Sequence, residues 1–502
     1  MSAINWLSRS VAAMPGPAPR TAAPLPGTVA AGVPMEGAAG PGGVQSQPSI
    51  DVTVLGATGL DAVGLLPQKV TGLPKDLWAN SHSADLAALL KAEPQHLLPA
   101  LQDLLYTMML AEADPPADAG ASGGFLVARL DRLLDYGALE QAQALLQQTG
   151  ARQPQLFRRW FDVELLLGHE QAACKAMATT PEIAPTLPAR IFCLARTGDW
   201  SAAQLTLTAA QGLGLVKPDE SAILTRFLDT SQDDTAKPLP PPSRPSPLIW
   251  RMMEAIGEPI ATNTLPAAFA QADLRSNIGW KAQITAAERL ARNGAIPPNQ
   301  LIGIYSEGKP SASGDPWDRV AAVQKLDAAL KAKDVAAVSR SLAPAWEAMR
   351  KAGLAVPFAA LFGKQLAGLH MSGQPGALAF RIGLLSPDAE AIAGTRIATD
   401  PREEFLIGLA RGHLDGLTPN DPMAAAIAAG FAPGADPGPD LDTLLAGHQT
   451  GAALLRAIAR IADGSSGDLT GVTAGLALLR KAGLETAARR TGLQLMLIAR
   501  AS

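Results

Sequence analysis

Residues 303–310, GIYSEGKP, contain the glycines and the lysine of a phosphate-binding loop at the spacing G-x4-G-K. In such a loop the backbone amides and the lysine surround a phosphate. Here Pro310 stands where a serine or threonine would coordinate Mg²⁺, and proline has no amide to donate at the start of a helix. We therefore interpret the segment as a loop between helices.

A second glycine-rich segment, VTVLGATGLDAVG, begins at Val52. It resembles the strand-to-helix turn of extended short-chain dehydrogenases, with Gly56, Gly59 and Ala62 at the three small positions. The resemblance implies a nucleotide whose pyrophosphate lies at a helix N-terminus. Pro67 interrupts the required helix, and no later alternation of strands and helices follows. A nucleotide-binding enzyme stays an alternative; we expect a glycine-kinked extended segment packed on helices.

Metal-binding and nucleophilic patterns are weak. His169, Cys174 and Cys193 lack the spacing of a common zinc module and an evident fourth ligand. The pattern H-E-x-x-H does not occur. The remaining histidines are scattered at His82, His96, His370, His413 and His448. We predict no cofactor, no metal and no catalytic residue.

The two cysteines also bear on the compartment. Two thiols are too few for a disulfide scaffold, although one bridge is open to them. We expect two buried apolar thiols on helices. No signal peptide or stretch of 18 apolar residues is found, so we expect a cytoplasmic protein without a membrane span. A misassigned start would leave a periplasmic location open.

Composition favours helices. Among 502 residues, 47% are hydrophobic, only 4% are aromatic, and alanine and leucine, the best helix formers, are abundant. The formal net charge is −4, and no Lys/Arg run exceeds two residues. A protein that binds the phosphate backbone needs a basic stripe, so we expect no nucleic-acid partner.

The N-terminus combines a short amphipathic peptide with a Pro/Gly/Ala-rich tail. Ile4, Leu7 and Val11 follow at i, i+3 and i+7, with Trp6 beside them. Such a peptide is too short to be a stable helix alone, and tryptophan stabilises mainly when it is buried. We predict a partner-docking peptide on a disordered tether. Docking back onto the protein's own helices, a frayed end and a weak membrane-surface anchor are the alternatives.

Composition divides the chain into five parts. Helical periodicity begins near Ser83, breaks at a proline-rich segment and resumes at Leu248. The predicted divisions are the disordered tail 1–48, the extended Gly/Pro-punctuated segment 49–80, the helical repeats 81–230, the proline-rich linker 231–247 and a second helical half 248–502.

Three segments in the first helical part repeat one pattern. Each has a glycine after an apolar helix and an alanine five residues later, and the glycines are 31 and 30 residues apart. Glycine allows the tight turn, and the small alanine lets the two helices approach closely. The positions are Gly137 with Ala142, Gly168 with Ala173, and Gly198 with Ala203.

This pattern, clearest in LARTGDWSAAQLTLTAAQGLGLVKP, resembles the tetratricopeptide-repeat superfamily. The first-helix aromatic signature of that family is mostly missing. The resemblance implies a degenerate all-α solenoid of helical hairpins with a surface that binds proteins. A helical-hairpin array without a peptide groove is the alternative.

We expect a non-catalytic scaffold or assembly factor. It would bind one partner through the helical-repeat surface and another through Ile4, Trp6, Leu7 and Val11. A structural component of an envelope or flagellar-type motility machine is the second alternative, beside the nucleotide-binding enzyme.

Overall fold

The computed structural model describes residues 59–151, 153–229, 237–464 and 467–498. Within these ranges there are 24 α-helices, three 3-10 helices and no strand. One isolated parallel bridge joins Leu66 and Ala111. The prediction of an all-helical protein is confirmed.

The α-helices are numbered in chain order over the described residues. The first twelve are α1 (Gln68–Thr71), α2 (Ser83–Ala92), α3 (Pro99–Leu110), α4 (Gly124–Tyr136), α5 (Leu139–Thr149), α6 (Pro154–Leu167), α7 (Gln171–Thr179), α8 (Leu187–Arg196), α9 (Trp200–Gly212), α10 (Pro218–Leu228), α11 (Pro247–Ala255) and α12 (Trp280–Arg292). The second twelve are α13 (Pro298–Tyr305), α14 (Trp317–Lys331), α15 (Val335–Lys351), α16 (Ala355–Ala367), α17 (Gly373–Leu384), α18 (Ala389–Ala393), α19 (Pro401–Arg411), α20 (Pro422–Phe431), α21 (Pro439–Ala446), α22 (Thr450–Gly464), α23 (Leu469–Lys481) and α24 (Glu485–Leu497). The 3-10 helices are Leu60–Ala62, Pro181–Ile183 and Ala267–Leu274.

Local sequence signals set many of these boundaries. Asp199 caps α9 by accepting a hydrogen bond from the backbone N–H of Ala202, at 3.1 Å. Gly137 ends α4 with φ of +83°, in the left-handed region that glycine occupies without strain. Proline stands in the first turn of many of the helices, where its missing N–H costs no intrahelical bond.

Buried side chains form two hydrophobic clusters. The larger runs from Leu73 to Leu166 and again from Trp250 to Met496. The smaller runs from Phe157 to Met253. The proline-rich segment therefore lies within the span of the smaller cluster, and the helices on its two sides, α10 and α11, contact each other.

The first and last helices of the larger cluster meet. Helix α3 packs against α24, and α2 packs against α22. The buried side chain of Gln494 accepts a hydrogen bond from the N–H of Ala100 at 2.8 Å, which satisfies a donor at the start of α3. Arg490 and Asp103 form an ion pair across the same contact at 2.9 Å.

A disulfide joins α7 and α8 inside the smaller cluster. Cys174 and Cys193 are both buried and bonded to each other, with their Cα atoms 4.8 Å apart. The expectation of two free thiols is wrong, because the two helices pack antiparallel and bring the residues together. Closing a loop of this length stabilises the folded state by about 3 kcal/mol in the chain-entropy account.

The segment before α2 lies against α3 and α4. Gly64 lies so close to the backbone of Ala111 that a side chain there would overlap it. Arg129, fully buried on α4, donates hydrogen bonds to the carbonyls of Asp61, Val63 and Met109 at 2.8–3.1 Å. This one guanidinium therefore ties the extended segment to two helices.

The described helices are short. The longest, α15, has 17 residues, whereas about 20 apolar residues are needed to cross the hydrocarbon core of a bilayer. None of the described helices has the length and apolarity of a membrane span.

Candidate functional site

A large groove runs along α12. Its volume is about 1400 Å³, and its other walls are the end of α11, the loop that follows it, and the 3-10 helix Ala267–Leu274. Small-molecule sites typically have volumes of about 300–1000 Å³. The groove is therefore larger than a typical small-molecule site.

Three tryptophans line the groove, and we call it the tryptophan groove. Trp280 and Trp317 contact each other with ring centroids 5.1 Å apart. Trp250 packs edge-on against Phe269. The indole N–H groups of Trp250 and Trp280 donate to the carbonyls of Ile260 and Ile304. Because these donors are satisfied within the protein, these two indoles need no hydrogen-bond partner from a ligand.

The segment 303–310 supports this aromatic lining. Gly308 lies against the ring of Trp280, where an added Cβ would come within 3.2 Å of it. The amide of Gln324 donates to the carbonyls of Tyr305 and Gly308 and holds the turn in place. In the structure residues 303–305 are the last residues of α13 and residues 306–310 form the loop after it, in which Gly308 makes room for an indole ring.

The acidic side chains of the groove have partners within the protein. Glu254 forms ion pairs with Arg251 and Arg275. Burial opposes ionisation of Glu254, but hydrogen bonds from the two arginines lower its pKa. Asp273 accepts a hydrogen bond from the hydroxyl of Thr262, and burial raises its pKa.

The basic side chains of the groove come from α12. Lys281, Arg289 and Arg292 follow at i, i+8 and i+11 and lie on one side of the helix. Arg289 donates to the carbonyls of Thr262 and Leu265, and Arg292 donates to that of Ala352. Burial, and then proximity to Arg292, lowers the pKa of Arg289. In the described ranges none of the three lies within 4.0 Å of a carboxylate oxygen.

A buried polar cluster lies behind the end of the groove near His96. Arg132 donates to the carbonyls of Glu93 and Pro94, and its guanidinium stacks on the ring of Tyr136. Burial raises the pKa of Glu93 to about 8, although Arg132 opposes this rise. The cluster fixes the loop between α2 and α3, which carries His96 to the rim.

A second candidate surface is the outer face of α9. The described chain exposes seven large apolar side chains, and four of these lie between Trp200 and Leu215. Leu205 is 73% exposed and Leu213 is 72% exposed. With Ala209 they follow at i, i+4 and i+8 and form one stripe, which we call the α9 patch. The opposite face of α9, with Ala203 and Leu207, is buried against α8.

The residues predicted from the repeat pattern lie at turns between paired helices. Gly137, Gly168 and Gly198 have φ of +83°, +80° and +95°. The matching alanines on the second helices, Ala142, Ala173 and Ala203, are fully buried. Trp200, the first residue of α9, contacts the ring of Phe227 with ring centroids 6.2 Å apart and keeps 41% of its surface exposed.

Other predicted site residues fall elsewhere. Ile4, Trp6, Leu7, Val11 and Gly56 lie outside the described residues. Gly59 precedes the 3-10 helix Leu60–Ala62, and the carboxylate of Asp61 accepts from the N–H of Leu126 at the start of α4. Over the described chain no group of His, Cys, Asp and Glu side chains could hold a metal ion, and Cys174 and Cys193 are bonded to each other.

Sequence reasoning missed the tryptophan groove. Its aromatic residues lie on three helices that are 30 or more positions apart, so no local motif marks them. One local signal was present in α12, which is strongly amphipathic. Its polar side combines a tryptophan with basic residues, and this side faces the groove.

No protein-family model, curated protein or solved structure matches this chain. The proposals below therefore depend on the geometry of its own residues.

Proposed function

We propose that this protein is a non-catalytic interaction protein that binds a partner protein through the α9 patch. The observation that carries the proposal is the concentration of exposed leucines on one helix whose other face is packed. An apolar helix face in water is unfavourable, and exposed apolar patches commonly mark protein–protein contacts. Covering Leu205 and Leu213 would remove much of this cost.

A tetratricopeptide-like array of hairpins, within an α-solenoid, is part of the same proposal. The pairs α4–α5, α6–α7 and α8–α9 each turn at a left-handed glycine and bury an alanine on the second helix. These features support a repeat unit over residues 124–212. Helix α10 then packs on α8 and α9, and the exposed leucines of α9 lie on the side that this packing leaves uncovered.

The N-terminal peptide remains a predicted second contact. Its residues Ile4, Trp6, Leu7 and Val11 lie outside the described part of the chain. A partner-binding peptide and a helical surface on one chain fit a scaffold or assembly factor. The near-neutral charge favours protein partners over nucleic acid.

The α9 patch is tested by charge insertion. We expect the double substitution Leu205→Glu/Leu213→Glu to weaken capture of a specific partner from native lysate at least tenfold. A side chain at the centre of a protein interface can contribute on the order of 2 kcal/mol to the free energy of binding. Because both side chains are exposed, the free energy of unfolding should change by less than about 1 kcal/mol. Quantitative mass spectrometry of captured proteins measures the loss.

Ile397→Glu is the matched control. Ile397 is 90% exposed and lies far from α9 in the chain, on the loop before α19. The control should retain every partner. Equal capture by wild type, the double variant and the control would contradict the proposal.

The disulfide favours an oxidising compartment over the cytoplasm expected from the sequence. This observation supports the alternative of an envelope component. In native cells we expect Cys174 and Cys193 to resist a thiol-alkylating reagent under denaturing conditions until a reductant is added. Alkylation of both thiols without prior reduction would contradict an oxidising location and favour the cytoplasm.

A further inference from the structure

We propose that the tryptophan groove binds an acidic amphipathic segment of a partner protein. This inference goes beyond the α9 patch and does not depend on it. The apolar side chains of the segment would pack on the partly exposed ring of Trp280 and on the exposed edge of Trp317. Its carboxylates would pair with the basic side of α12.

Charge complementarity identifies the occupant. The lining carboxylates Glu254 and Asp273 already pair with Arg251, Arg275 and Thr262. A third, Asp135, lies 3.8 Å from Arg132. The basic residues of α12, in contrast, form no salt bridge in the described ranges, although Glu288 attracts Arg292 electrostatically. The groove therefore offers three cations without a salt-bridge partner beside an aromatic lining, and an acidic ligand could pair with them.

The shape favours a polypeptide segment. Helix α12 has 13 residues and is about 20 Å long, at 1.5 Å per residue. Lys281 and Arg292 lie near its two ends, so carboxylates about three helical turns apart would reach both. Together with the volume of about 1400 Å³, this length fits a short helix better than a compact small molecule.

The protein's own N-terminal peptide fits the groove poorly. Residues 1–35 contain Arg9 and Arg20 and no aspartate or glutamate. Placing this basic peptide beside the basic side of α12 would bring like charges together. A segment from another protein is therefore the occupant that the charges favour.

Selection from a random 16-residue display library on the full-length protein tests the proposal. We expect enriched peptides to combine net negative charge with apolar residues at i, i+3 and i+4. Fluorescence anisotropy of synthetic copies should show at least tenfold weaker binding to Lys281→Glu/Arg292→Glu. Both residues are exposed, so the variant should fold, which circular dichroism and thermal unfolding check.

Lys325→Glu/Arg340→Glu is the matched control. It makes the same charge change at exposed residues outside the groove and should bind the peptides as the wild type does. Enriched peptides without acidic bias, equal binding to both charge-reversed variants, or no enrichment would overturn the proposal.

Two further measurements distinguish an acidic peptide from the protein's own N-terminal peptide as the occupant, and the tryptophan groove from the α9 patch as the site. A synthetic peptide of residues 1–20 that binds more tightly than the acidic peptides would make the N-terminus the occupant and overturn the proposal. Peptides that lose binding to Leu205→Glu/Leu213→Glu but keep it to Lys281→Glu/Arg292→Glu bind the α9 patch. Such a result would contradict the groove proposal and support the proposed function.

Discussion

Replacing Arg129 by methionine is expected to lower the free energy of unfolding by about 3–5 kcal/mol, because it removes a buried charged donor from three carbonyl acceptors. Arg129 is fully buried and donates to three carbonyls from two separate segments. Methionine fills similar space but leaves those acceptors without a donor, and each buried unsatisfied group costs about 1–3 kcal/mol. Urea unfolding followed by circular dichroism measures the loss.

Arg129→Lys separates charge from geometry. Burial lowers the pKa of Arg129 to about 10, so the side chain is still charged at neutral pH. Lysine keeps the charge but cannot reproduce the planar fork of donors, so an intermediate loss is expected. A methionine variant within about 1 kcal/mol of the wild type would show that the segment from Asp61 to Val63 is held by other contacts.

The second large effect is expected at Arg319, which joins α14 to α12. Its guanidinium donates two hydrogen bonds of 2.8 Å to the carboxylate of Glu288, and Tyr305 donates a third at 2.7 Å. Although burial opposes it, the hydrogen bonds to Glu288 raise the pKa of Arg319. Arg319→Met leaves a buried carboxylate without its cation, and unfolding free energy should fall by about 3–5 kcal/mol.

The double substitution Glu288→Leu/Arg319→Met is the informative control. Removing both charges leaves no unpaired buried ion, so the double variant should be more stable than Arg319→Met alone. The network also connects the helices of Trp280 and Trp317. We therefore expect the single variant to lose affinity for groove-binding peptides as well as stability. A double variant less stable than the single one would contradict this account of the pair.

Local sequence determined the helices and their turns. Alanine and leucine content, apolar periodicity, capping aspartates and glycines act within a few residues of one another, so they can be read along the chain. Gly137, Gly168 and Gly198 do end helices in the left-handed conformation. The same reasoning marked the proline-rich segment 231–247 as a break between two helical halves, which stays a prediction.

Only the tertiary structure decided which distant residues meet. Periodicity says which face of a helix is buried but not which helix covers it. The bond between Cys174 and Cys193, the contact of Gln494 with the start of α3 and the meeting of three tryptophans all depend on that choice. Arg129 illustrates the same limit. From the sequence alone an arginine is expected on a solvated helix face, whereas the fold surrounds Arg129 with carbonyl groups from distant segments and buries it.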